Sequence, residues 1–238
     1  MFIHADFSQP VIIKPEDYHW VKSPGGEVDR MMLDRIGNEK ARATSLVKYA
    51  PESAFPEHQH PLGEEVLILS GIFTENAEDD YPAGWYLRNP HHSTHQVSSK
   101  AGCLIFVKLM QMTEHEIEPT RINTNDPANW KLTKHRMRCP LFQSEHEQTY
   151  LEKLKPAQIF EEKSKQGIEV LIIKGQLFCG TEIYPAGSWV RLPINSAAKF
   201  QAGLSGATLY VKTGHLQHAM GAVSYTHLRA HETVLDLV

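Results

Sequence analysis

Short apolar runs, broken every several positions by proline, glycine or asparagine, set the pattern of this chain. Val66-Leu-Ile-Leu69 and Cys103-Leu-Ile-Phe-Val107 stand out. Runs of this length, rich in Val, Ile and Leu and bounded by turn residues, predict the strands of an all-β sandwich or barrel. The segment from Asn38 to Ala50 carries good helix formers, but Thr44-Ser-Leu-Val-Lys-Tyr49 alternates with period two and runs into Pro51. Its second half therefore reads as a strand. Both apolar runs fall far short of the roughly 20 residues of a membrane helix.

The pattern occurs twice. Val66-Leu-Ile-Leu-Ser-Gly71 is answered by Val170-Leu-Ile-Ile-Lys-Gly175, and Tyr81-Pro-Ala-Gly-Trp-Tyr-Leu-Arg88 by Tyr184-Pro-Ala-Gly-Ser-Trp-Val-Arg191, at offsets of 104 and 103 residues. Two matches in the same order at nearly one offset indicate two copies of one domain. The turn-rich stretch Asn123 to Lys134, with Asp126-Pro127, connects them. The expected domains are 1–122, 123–221 and a separate tail, 222–238.

Composition narrows the function classes. With 41% hydrophobic and 22% charged residues, the chain has globular composition. A net charge of −4 without a basic block gives no footprint for nucleic acid or an anionic membrane, so neither is expected as a partner. Cys103, Cys139 and Cys179 form no CxxC pair, and residues 1–10 lack the charged-then-apolar design of a signal peptide. A cytoplasmic location is expected.

The chemistry lies in His58-Gln-His60-Pro-Leu-Gly-Glu64, followed by Gly71. Residues two apart on a strand share a face, so both imidazoles reach one point inside a barrel. Glu64 has the same parity, interrupted by Pro61 and Gly63. The segment His91-His-Ser-Thr-His95 supplies a further imidazole. Three imidazoles and a carboxylate suit iron, manganese, nickel, copper or zinc rather than calcium.

These motifs resemble the two-part cupin signature, HxH then Glu then Gly, and later PxG followed by His. Arg42-Ala-Thr-Ser, Phe55-Pro-Glu-His58, Gly63-Glu-Glu65 and Arg88-Asn-Pro90 are similar to the ChrR-like cupin family over roughly Val28 to Met112, and more weakly from Leu151 to Leu216. The resemblance implies two tandem jelly-roll barrels. It further implies one divalent metal (Zn, Fe, Mn or Ni) held by His58, His60, Glu64 and His95. It implies a small-molecule partner, with either a dioxygenase acting on small ketones or a non-catalytic metal-dependent sensor. The helical module with a histidine and a CxxC pair that precedes the cupin in anti-sigma members has no counterpart before Val28.

Laying the second copy on the first sets Glu162 and Ser164, or with a one-residue shift Lys163 and Lys165, opposite the HxH pair. Ile168 falls opposite Glu64 and Ala198 opposite His95. That barrel is expected to be metal-free and to contribute packing, covering edges that would otherwise associate; a homodimer is a permitted assembly. Arg88 and Arg191, kept in both copies, read as structural, His91 and His92 as loop residues, and Cys103 as core. The acidic loop Thr74 to Asp80 is given no function. The tail, with His227 and His231, resembles a translated adapter or vector read-through and is left out of the site.

Overall fold

The apolar runs become strands. The computed structural model of the chain describes residues 1–23, 28–38, 40–133 and 135–217; the tail and its two histidines lie outside the described residues. From the N-terminus run β1 (Phe2–Ile3), β2 (Val11–Ile13), β3 (Val21–Lys22), β4 (Val28–Gly37), β5 (Ala41–Tyr49), β6 (Ser53–Gln59) and β7 (Glu64–Glu75). The first copy continues with β8 (Asp79–Pro82), β9 (Trp85–Asn89), β10 (Thr94–Ser99), β11 (Cys103–Leu109) and β12 (Thr120–Asn123). The second holds β13 (Lys131–Thr133), β14 (Arg136–Gln143), β15 (Gln148–Leu154), β16 (Ile159–Ser164), β17 (Ile168–Cys179), β18 (Glu182–Pro185), β19 (Trp189–Leu192) and β20 (Ser196–Thr213). The fold is all-β, two antiparallel jelly-roll barrels. No helix among the described residues is long and apolar enough to cross a membrane.

Two compact units divide the chain. Among the described residues the first comprises 1–4 and those of 17–130, the second 5–16 and those from 131 to 217. Local composition does not reveal that residues 5–16 go with the second copy. The cause is backbone pairing: β2 adds to β19, with Val11 opposite Arg191 and Ile13 opposite Trp189. Residues 123–130 stay with the first unit, where Thr124 donates from backbone and hydroxyl to the Gly84 carbonyl.

In the first barrel β7 is the pivot. Its first half pairs with β9 and β11, its second half with β8 and β10. The switch falls at Gly71, where φ is +75° and an added Cβ would lie 2.0 Å from the Gly102 carbonyl oxygen. Only glycine permits that approach. Gly175 makes the same turn in β17, with φ +76° and the Gly206 oxygen 2.1 Å from its would-be Cβ. Alternate residues of β5, β7 and β11, among them Val47, Val66, Ile68 and Ile105, face inward to form the apolar core.

Candidate metal centre

His58 lies on β6, directly opposite His95 on β10. His60 follows just past the end of β6, its backbone N–H held by the Ser93 carbonyl at 3.2 Å. Glu64 does not extend β6. After Leu62 and Gly63, both at positive φ, the chain reverses and Glu64 opens β7 beside Asn89. The carboxylate thus reaches the cluster from a neighbouring strand, not by parity along one strand.

One potential ligand atom from each of His58, His60 and His95 falls within 4.8 Å of the others. Nε2 of His60 and Nε2 of His95 are 2.9 Å apart. Glu64 lies 3.7 Å from the first of these and 3.4 Å from the second. Hydrogen bonds fix two of the tautomers. His58 Nδ1 donates to the Pro56 carbonyl (2.9 Å), so its Nε2 carries the lone pair. His95 Nδ1 donates to Glu75 (2.8 Å), leaving its Nε2 lone pair toward His60.

A second layer holds this arrangement. Arg121 donates to Glu75 (2.7 Å) and to Asn89 Oδ1 (2.6 Å), and Asn89 Nδ2 donates to Glu75 (2.9 Å) and Glu64 (3.2 Å). Burial alone raises the Glu75 carboxyl, but the bonds from His95 and Asn89 and the Arg121 charge outweigh it and hold it below the usual range. Burial likewise opposes a charge on His95, yet the Glu75 bond and the negative charges of Glu64 and Glu75 leave it raised. His60 is pushed down, first by burial and then by its histidine neighbours, against the pull of Glu64.

The donor set fits a cation. Two nitrogens bound at about 2.1 Å and at right angles lie about 3.0 Å apart, close to the spacing of the His60 and His95 nitrogens. Glu64 is only 6% exposed. Glu75 and Glu65 have Arg121 and Arg88 as partners, whereas Glu64 has no Lys or Arg partner among the described residues. A buried carboxylate without a counter-charge is costly, and a metal ion among these four side chains removes that cost. His91 is engaged elsewhere, its Nδ1 accepting from the Leu62 backbone N–H at 2.8 Å.

Next to His58, His60 and Glu64 lies a cavity of about 80 Å³, walled by apolar residues such as Phe55, Val97 and Ile105 and also lined by Arg30 and by Arg35, which donates to the Asn38 carbonyl. Sequence reasoning missed Glu75, Asn89, Arg121 and Arg30. Glu75 heads the acidic loop given no function, yet it is 2% exposed while Glu78, Asp79 and Asp80 face solvent.

In the second barrel the strand register decides between the two alignments. Glu162 stands opposite Ala198, as His58 does opposite His95. Ala198 and Ile168 are buried in the second core. Arg88 pairs with Glu65 (2.9 Å) and Glu116 (2.6 Å), and Arg191 stacks over Phe7 at 4.1 Å; both are packing roles away from the histidines.

Residues 8–113 match the model of the ChrR cupin-like domain. No curated protein matches the chain. Among solved structures, a Nostoc punctiforme protein provisionally assigned as a dioxygenase shares 11% identity and a TM-score of 0.68, over 88% of this chain and 84% of that one. Escherichia coli YlbA shares 14% and 0.66, over 88% and 93%. The nickel(II) complex of the Escherichia coli pirin YhhW shares 10% and 0.61, over 87% and 99%. At such identities the structural likeness bears on fold alone. With the two barrels and the HxH, Glu and His cluster, the match over residues 8–113 makes the first part of the chain similar to the ChrR cupin-like domain.

Proposed function

We propose that the first barrel holds one divalent metal ion on His58, His60, Glu64 and His95, and that the chain is a dioxygenase-type oxidoreductase acting on a small ketone-like molecule in the adjoining cavity. The observation that carries this reading is the buried Glu64 carboxylate facing two imidazole nitrogens with no Lys or Arg partner among the described residues. The Nostoc relative and the nickel-bound pirin support it by fold analogy. A redox-active metal bound here would supply open positions for substrate and oxygen.

The protein's own residues do the rest. Glu75 and Pro56 orient His95 and His58 through their Nδ1–H groups, a role that raises ligand basicity. The apolar wall of Phe55, Val97 and Ile105 limits water. In the second barrel Ala198 and Ile168 stand in place of ligands and pack into that barrel's own core. The free cysteines, two buried and one exposed, accord with a reducing cytoplasm.

The test is metal content per chain, measured by elemental mass spectrometry on protein purified without a metal-affinity tag, for the wild type and His60→Ala. About one iron, manganese or nickel per chain, absent from the variant, together with oxygen uptake on small ketones, is the expected result. Zinc at the same stoichiometry without oxygen uptake would replace the oxidoreductase with the metal-dependent sensor. Failure to take up any metal would overturn both.

A further inference from the structure

Arg30 projects from β4 on the face of Val28 and lines the cavity beside His58, His60 and Glu64. Among the described residues its guanidinium has no hydrogen bond and no ion pair, and its neighbours in the cavity wall include the buried Tyr49 ring. A guanidinium always carries its charge and presents a planar fork of donors that matches a carboxylate. Placed unpaired against an apolar wall, it is poised for an anion that arrives with a ligand.

The second barrel supplies an internal control. In the first barrel Arg30 stands opposite Val47, which stands opposite Ile105. In the second, Arg138 stands opposite Glu152, which stands opposite Leu209. Ile105 and Leu209 occupy the same register position, since they face Ile68 and Ile172 of the repeated β7 and β17. Arg138 is therefore the counterpart of Arg30, Glu152 of Val47, and Tyr150 of Ser45.

Arg138 has an internal carboxylate partner, Glu152, which it shares with Arg136 at 2.7 Å. It donates to Glu152 at 2.8 Å and lies 3.6 Å from the Tyr150 ring centroid. Glu152 is completely buried and Tyr150 belongs to the core. In the first barrel both partners are gone: Val47 and Ser45 line the cavity instead. The space and the charge vacated by the Glu152 carboxylate in one barrel are open in the other.

Resting on the metal-binding reading above, we propose that Arg30 is the specificity-determining residue for a small carboxylate ligand of the 2-oxo acid class. The ligand's carboxylate takes the place beside Arg30 that Glu152 holds beside Arg138, and its carbonyl points toward the three histidines. A cavity of about 80 Å³ accommodates one small organic molecule and excludes a bulky one.

Calorimetric titration with pyruvate and with its neutral isostere butane-2,3-dione tests this, on metal-loaded and on metal-free full-length protein. The wild type should bind pyruvate at least tenfold more tightly than the dione. Arg30→Gln should lose tenfold to a hundredfold for pyruvate with no change for the dione, and Arg30→Lys should recover part of the loss. Val47→Glu, which rebuilds the internal carboxylate, should abolish pyruvate binding while metal content stays at the wild-type level. No pyruvate binding by the wild type, or equal affinities for both probes in wild type and Arg30→Gln, would overturn the inference. Metal content read on the same samples separates the two ideas. Arg30-dependent selectivity without metal uptake sinks the metalloenzyme reading alone, and metal uptake without selectivity sinks this inference alone.

Discussion

On β7, Glu64 and Glu75 are both buried carboxylates but face different charges. Glu75 accepts from His95, Asn89 and Arg121, so its charge is met by protein groups and its effect on the cluster is to fix the His95 ring. Among the described residues Glu64 meets only Asn89 and the two imidazoles, so its charge is available to a cation. Glu75→Gln should therefore weaken metal affinity by about 10- to 100-fold without abolishing it, whereas His60→Ala should remove most of the metal and His91→Ala none; competition with a chromogenic chelator reads all three. Titration adds a direction. Because burial is outweighed by the Glu75 bond and the His95 proton is held above its ordinary range, a metal must displace that proton up to higher pH than at an ordinary imidazole. Apparent affinity should keep rising with pH beyond about 6.5, and should fall about tenfold per pH unit below the raised value. His60, held low chiefly by burial, adds its own proton competition only at more acidic pH. An affinity that levels off below pH 6 would contradict this account of His95.

Among the elements, β7 and β17 show what a repeated sequence can and cannot say. Gly71 and Gly175 recur because each strand crosses a carbonyl at positive φ, so Gly71→Ala should cost about 2–3 kcal/mol, read as a lower urea midpoint at unchanged slope. The strands, the repeat and the HxH pair were legible because each has a local signal: apolar runs between turn residues, two matched motifs, and imidazoles two apart. Glu75 was not, because an acid at the head of an acidic loop carries no mark of burial until β10 and β12 close over it. Nor was Arg30, whose meaning depends on Val47 standing where the other copy has Glu152. The self-comparison did hold one unused clue. Glu65 and Arg88 persist as Glu169 and Arg191, while Glu75 becomes Cys179 and Asn89 becomes Leu192. The polar residues that vanish together with the histidines are those that support the cluster.

The two barrels share strand order around β7 and β17 but fill their interiors differently. One closes around Tyr150, Phe160 and the Arg138–Glu152 pair, the other leaves a cavity and a buried carboxylate awaiting a cation. A metal bound by the first barrel in the folded state alone would stabilise it. At a free metal concentration 1,000 times the dissociation constant the gain is about 4 kcal/mol, and a chelator should reverse it. The stabilisation should be local to one barrel, since the histidines that close the site lie on β6 and β10 while β16 and β20 carry Glu162 and Ala198 at the matching positions. Hydrogen exchange followed by mass spectrometry reads this directly. Adding metal should slow exchange in β6, the start of β7 and β10, leave β16, β17 and β20 unchanged, and have no effect on His60→Ala. Equal slowing in both barrels would mean that the metal acts on the chain as a whole, and the division of labour between the copies would have to be redrawn.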